Sequence, residues 1–130
     1  MVKLLRFFPS WLPALVMMTV IFAISATPST KMPDFDWADL IVKKGGHMVG
    51  YGLLALAFLW WLLETGKIET RIYLVAWGLA ILYATTDEFH QYFVAGRHAS
   101  WVDVVIDATG AALLLWIATR SSETKKASSQ

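Results

Sequence analysis

The sequence contains no cysteine, so it has no disulfide framework and no thiolate that could act as a nucleophile or a metal ligand. Charge is also scarce: charged residues make up 16% of the chain, whereas a soluble domain has roughly 25%. The net charge is only +1, which argues against a nucleic-acid partner. Hydrophobic residues make up 57% of the 130 residues. This composition is typical of a membrane protein.

Charge is missing altogether from four long stretches. Residues 7–30, 72–86 and 108–119 carry none, and residues 45–63 carry none apart from His47. A bilayer core about 30 Å thick requires roughly 20 helical residues, so the third run must extend through Asp87 and the fourth must include Asp103 and Asp107. Irregular backbone is not tolerated in lipid. We therefore predict an all-α, four-helix transmembrane bundle in residues 7–119, with spans at about 8–27, 45–63, 72–93 and 99–119.

The distribution of lysine and arginine predicts the orientation of these spans. The side that holds both termini and the second loop carries Lys3, Arg6, Lys67, Arg71, Arg120, Lys125 and Lys126. The other side carries Lys31, Lys43, Lys44 and Arg97. We therefore expect both termini in the cytoplasm, and a polar, disordered cytoplasmic tail at residues 120–130. A cleaved signal peptide is the alternative for the first span.

Polar residues gather at one depth of this predicted bundle, near the outer ends of three spans. Helical spacing gives several of them a shared face: Asp87 with Gln91, His47 with Tyr51, and Asp103 with Asp107 and Gly110. A carboxylate that faced lipid would cost at least about 2.5 kcal/mol. These faces should therefore turn inward around a polar pocket, and Gly110 with Ala111 should let a neighbouring helix approach closely.

The same residues carry a resemblance to the VanZ family of small bacterial membrane proteins, which is named for a teicoplanin-resistance protein. The resemblance covers residues from about 12 to 118. Its central pattern comprises Asp87, Glu88, His90, Gln91, Phe93, Gly96, Arg97, Asp103, Asp107, Gly110 and Ala111. An upstream pattern comprises Lys44, His47, Tyr51 and Leu54, and a third comprises Phe22, Ser25 and Pro28.

The chain departs from the family pattern at three places. Ala95 stands where the family usually has proline, His98 stands where small residues are common, and the fourth span lacks a second glycine near Leu114. None of these departures touches the main polar set. The resemblance implies a four-span fold and a link to the cell envelope or to resistance against glycopeptide antibiotics.

The polar set is best interpreted as a site for an anionic envelope component, such as a lipid-linked or phosphate-bearing molecule. The candidate catalytic residues are His47, Asp87, Glu88 and Asp103, with His47 and either Asp87 or Glu88 as the acid–base groups. The candidate binding residues are Lys44, Tyr51, Gln91, Arg97 and Asp107. Arg97 would hold the anion as a bidentate fork and pair most strongly with Asp103.

Three other interpretations stay open. No cofactor is predicted, but a divalent metal could be held by His47, Asp87, Glu88 and His90, since Asp87 and His90 at i, i+3 share a face. Buried carboxylates also suit a proton-linked transporter, although the other halves of the spans offer no polar path. Finally, the polar residues could serve only to cap helices and pin turns.

Overall fold

The computed structural model describes residues 8–28, 36–66 and 71–128, and the regular structure in these ranges is helical, without strands. Four helices follow in order: α1 (Leu12–Ser25), α2 (Asp36–Glu64), α3 (Ile72–Gln91) and α4 (Trp101–Ala127). The predicted all-α class with four helices is therefore confirmed. By length and composition, Ile41–Glu64 and Trp101–Ala127 are apolar enough to cross a membrane, and α1 is a shorter apolar helix.

The orientation of the helices in a membrane stays a prediction. Four of the charges on which it depends, Lys3, Arg6, Lys31 and Lys67, lie outside the described residues.

The helix ends have local causes. Proline at the start of α1 suits the first turn, where its missing N–H would have no helical partner. Gly66 and Gly96 adopt φ angles of 79° and 74°, which side chains disfavour, and each lies in a turn beyond a helix end. Helix α4 does not stop where the sequence predicts disorder, because no proline or glycine interrupts residues 120–127. Lys125 and Lys126 in its last turn also complement the helix dipole.

Helices α2 and α4 form the most extensive interface of the bundle. A Cβ atom at Gly110 of α4 would collide with the backbone carbonyl of Met48 in α2. A Cβ atom at Gly52 would collide with the Leu114 side chain and lie 3.0 Å from the Gly110 carbonyl oxygen. The predicted close approach at Gly110 and Ala111 is thus confirmed, and Ala111 is fully buried.

The buried face of α3 changes character along its length. In its first part, small apolar side chains recur every four residues and pack into the core. These are Ala76, Ala80 and Ala84. One turn later the same face presents Asp87, Glu88 and Gln91, which are also buried. The bundle therefore has an apolar half and a polar end. We call this polar end, where residues 26–28 and 92–100 connect to the helices, the loop end.

Candidate functional site

A pocket of about 270 Å³ opens at the loop end, and residues from α2, α3, α4 and the 92–100 connection line it. We call it the polar pocket. Its lining residues are Lys43, Lys44, His47, Glu88, Gln91, Gly96, Arg97, His98, Asp103, Ile106 and Asp107. The structure thus brings together most of the side chains that the sequence predicts to form a site.

Asp87 lies behind this pocket, in a buried cluster that joins α3 to α1. The Ser25 hydroxyl donates to Asp87 Oδ2 at 2.6 Å, and Gln91 Nε2 donates to the same oxygen at 3.2 Å. Ser25 is fully buried and Asp87 is 3% exposed. Asp87 therefore holds the end of α1 against α3.

Glu88, the next residue, points elsewhere and supports the start of α4. Its Oε2 accepts a hydrogen bond from the backbone N–H of Ser100 at 2.9 Å. The Ser100 hydroxyl in turn accepts from the N–H of Val102 at 3.2 Å, as an N-cap residue does. Glu88 thus fixes the first turn of α4, which carries Asp103.

The two predicted cationic residues have different partners. Lys44 Nζ lies 2.9 Å from Asp103 Oδ1 and joins α2 to α4. The Arg97 guanidinium donates from Nε to the carbonyl of Thr27 at 3.2 Å and from Nη2 to the carbonyl of Ile24 at 3.0 Å. Arg97 therefore uses its fork on the C-terminal end of α1. Asp103 pairs with Lys44, and the predicted coupling of Asp103 to Arg97 stays a prediction.

The deepest part of the polar pocket contains a histidine beside a carboxyl group. His47 Nδ1 lies 3.9 Å from Asp107 Oδ2. Asp107 is only 1% exposed, and neither of its carboxyl oxygens has a hydrogen-bond partner within the described residues. The Tyr51 ring stacks on His47 with 6.2 Å between centroids, and its buried hydroxyl likewise has no partner there. His47 thus faces Asp107, whereas the sequence predicts a pairing with Asp87 or Glu88.

The four side chains that the sequence offers as metal ligands have different partners in the structure. Asp87 bonds Ser25, Glu88 bonds Ser100, and His47 faces Asp107. The ring of His90 packs on Phe22 at 4.6 Å between centroids. Within residues 8–28, 36–66 and 71–128 there is no group of three or more such side chains arranged for a metal ion.

Some residues contribute to this region although the sequence does not predict them as site residues. The Ser25 hydroxyl bonds Asp87, and the place of Ser25 in the family pattern is the signal that points to it. Lys43 and His98 line the polar pocket but were not predicted to do so. Lys43 precedes the predicted Lys44, and His98 follows the predicted Arg97.

Comparison with known proteins agrees with the pattern of the polar residues. No curated protein and no solved structure matches the chain. The model of the VanZ/LLP1 family, however, matches residues 3–121 and so includes every residue that lines the polar pocket. The chain therefore belongs to the VanZ/LLP1 family.

Proposed function

We propose that this chain is a multi-pass protein of the bacterial inner membrane whose polar pocket faces the outer leaflet and binds an anionic component of the cell envelope. The observation that carries this proposal is the set of basic side chains, Lys43, Lys44 and Arg97, that line one pocket at the loop end. Lysine and arginine form charge-assisted hydrogen bonds with phosphate and carboxylate oxygens. Binding of an envelope component there would also account for a link to resistance against teicoplanin-type glycopeptides.

The pocket suits a ligand that has hydrogen-bond donors besides its anionic group. Glu88, Asp103 and Asp107 line the same space as the three basic residues. The two Asp107 oxygens, without partners in the described part of the chain, can accept from a hydroxyl or an amine. A phosphate that carries a hydroxylated or amino head group has both features.

The pair of Asp107 and His47 would allow chemistry on the bound ligand. A histidine within hydrogen-bond reach of a reacting group, directly or through one water molecule, can exchange a proton with that group. His47 lines the polar pocket with Asp107 Oδ2 at 3.9 Å from its Nδ1. Hydrolysis or transfer at the head group is thus the type of reaction that this site would support, with His47 as acid or base and Asp107 as the group that orients it.

Binding can be tested with the purified full chain in a neutral detergent. The probe is phosphatidylglycerol, and phosphatidylcholine is the comparison lipid. A ligand that binds only the folded state at a hundredfold excess over its Kd stabilises that state by about 2.7 kcal/mol. We therefore expect phosphatidylglycerol to raise the unfolding temperature and phosphatidylcholine to leave it nearly unchanged.

Two double variants each remove two positive charges, one from the polar pocket and the other from a control position outside it. Lys43→Gln with Lys44→Gln should abolish the stabilisation by phosphatidylglycerol, since both lysines line the pocket. Lys125→Gln with Lys126→Gln, at the exposed end of α4, should retain it. Equal stabilisation of both double variants would refute binding in the pocket.

The outward orientation has its own test. Because the chain has no cysteine, a single introduced one gives a signal without background. Ala99→Cys, an exposed position in the 92–100 connection, should react with an impermeant thiol reagent added to intact cells. Ser121→Cys, exposed on α4 near the other end of the bundle, should react only after the cells are opened. The reverse pattern would place the polar pocket in the cytoplasm.

A further inference from the structure

A second, largely apolar space lies next to the polar pocket, between α1 and α2. It has a volume of about 240 Å³. Its walls are apolar side chains of both helices, Met17, Val20, Ile21, Ile24 and Val42, together with Gly46, Gly50 and Tyr51. We call it the α1/α2 groove. For comparison, an apolar cavity of about 150 Å³ holds a benzene molecule.

The groove adjoins the polar pocket. Lys43, His47 and Arg97 line both spaces. The groove therefore begins at basic side chains at the loop end and runs along α2 from Lys43 to Gly50. Seven residues of helix cover roughly 10 Å, which is about two-thirds of one leaflet of a hydrocarbon core about 30 Å thick.

Glycines open the groove on the side of α2. A Cβ atom at Gly46 would have nothing within 4 Å, and one at Gly50 would have only Ile21 Cγ1, at 4.0 Å. Gly46 and Gly50 are four residues apart and so share a face of the helix. Larger side chains at these two positions would fill the space without displacing any backbone.

We infer that the ligand of this site is a phosphate-bearing membrane lipid, with its phosphate at the polar pocket and one hydrocarbon chain in the α1/α2 groove. This inference rests on the proposed function and names the class of its ligand. The charge of the shared residues matches an anionic head, and the apolar walls beyond them match a chain that points into the membrane. A soluble phosphate compound would use the first space and leave the second unused.

Photolabelling of the full chain in phosphatidylcholine nanodiscs tests the inference. The probe is phosphatidylglycerol that carries a diazirine in one acyl chain, and labelled peptides are identified by mass spectrometry. We expect labels on the groove-lining parts of α1 and α2. Each methylene that is buried contributes roughly fourfold in affinity, so a blocked groove that loses two of them should lower this labelling by about fifteenfold.

Gly50→Phe and Gly46→Leu are the two blocking variants, so that one remains if the other does not fold. Gly78→Phe is the matched control, because Gly78 is an exposed helical glycine of α3 with open space around it and lies on neither pocket. Circular dichroism and size-exclusion chromatography report on folding. The blocking variants should lose groove labelling, and the control should keep it.

Three other outcomes separate this inference from the proposed function. If blocking changes nothing while Lys43→Gln with Lys44→Gln abolishes stabilisation by phosphatidylglycerol, the polar pocket binds an anion but the groove holds no chain. If a diazirine phosphatidylcholine labels the groove as strongly as the anionic probe, the groove takes any lipid and the inference is wrong. If neither the double variant Lys43→Gln with Lys44→Gln nor the lipid head group changes the stabilisation by lipid, the proposed function fails as well.

Discussion

Helix α2 meets its two neighbours in opposite ways. On the side of α4, Met48 and Gly52 lie in close contact with Gly110 and Leu114, so that a single added methyl group would collide. On the side of α1, Gly46 and Gly50 face open space. Glycine in a helix costs up to about 1 kcal/mol relative to alanine. On the side of α4, close packing explains why the residue is glycine. On the side of α1, glycine keeps a groove open.

The two neighbours are also held by different forces. Packing of small residues attaches α4 to α2, as in many membrane helix pairs. The interface of α1 with α2 is smaller than that of α4 with α2, and the interface of α1 with α3 is smaller still. Polar bonds hold its end: Ser25 to Asp87 and Arg97 to the carbonyls of Ile24 and Thr27. Where Gly52 and Gly110 pack closely, no room is left for a ligand, whereas attachment of α1 at a few polar points allows a groove beside it.

The largest effect should come from adding a methyl group to the closely packed side. In Gly110→Ala the new Cβ would meet the Met48 backbone, which cannot rotate away as a side chain can. Overpacking costs typically 1–3 kcal/mol, and we expect about 3 kcal/mol of lost stability here. Gly46→Ala is the control and should be neutral or slightly stabilising. Denaturation of the purified protein in detergent measures both. Equal stabilities would contradict the contrast between the two sides of α2.

A smaller loss should follow when the polar attachment of α1 is cut. Ser25→Ala removes the hydroxyl that donates to Asp87 Oδ2 within the buried cluster. We expect a loss of about 1 kcal/mol, which lies within the range for hydrogen bonds between helices of membrane proteins. Thr19→Ala removes a hydroxyl of α1 that bonds its own helix at an exposed position, and it should have little effect. Similar losses in the two variants would mean that the buried cluster does not hold α1.

Asp107 lies one turn before Gly110 on α4, where the packed interface gives way to the polar pocket. In Asp107→Asn the side chain keeps its shape and loses its charge, and no described hydrogen bond of the fold depends on it. We expect a folded protein whose apparent Kd for phosphatidylglycerol rises by about tenfold or more, because a hydrogen bond to a charged group is worth roughly 1.5–3 kcal/mol. Thermal unfolding across a lipid titration measures this. Unchanged affinity would exclude Asp107 from ligand contact.

The sequence predicts the four helices and the gathering of polar residues at one end of the bundle, because both depend on local pattern. Uncharged runs mark the helices. The cost of a carboxylate in lipid turns Asp87, Asp103 and Asp107 inward. The close contact at Gly110 is likewise visible as a pair of small residues, Gly110 and Ala111. These features need no knowledge of which side chain meets which.

The partners of the polar residues are harder to predict, since they depend on the rotation of each helix. Asp87 and Glu88 are adjacent, so their side chains point about 100° apart around the helix. One therefore reaches Ser25 in α1 and the other the start of α4. The sequence gives no sign of this division. The α1/α2 groove is harder still to foresee, because an open space leaves no pattern of its own except glycines that have no packing partner.

The smallest expected effect concerns the second attachment of α1, through Arg97. Its Nε and Nη2 atoms donate to two carbonyls at the end of α1, where the helix dipole is negative. Lysine keeps the charge but lacks the planar fork. We therefore expect Arg97→Lys to lose one of the two bonds, at about 0.5–1 kcal/mol, and Arg97→Ala to lose more. Hydrogen exchange should show the change in the last turn of α1, where the Ala26 N–H bonds Phe22, before it shows in global unfolding. Arg120→Lys, on the exposed part of α4 beside Trp116, should leave exchange in α1 unchanged. Full protection of that turn in Arg97→Lys would mean that the charge of Arg97 suffices and that its geometry does not hold α1 beside the groove.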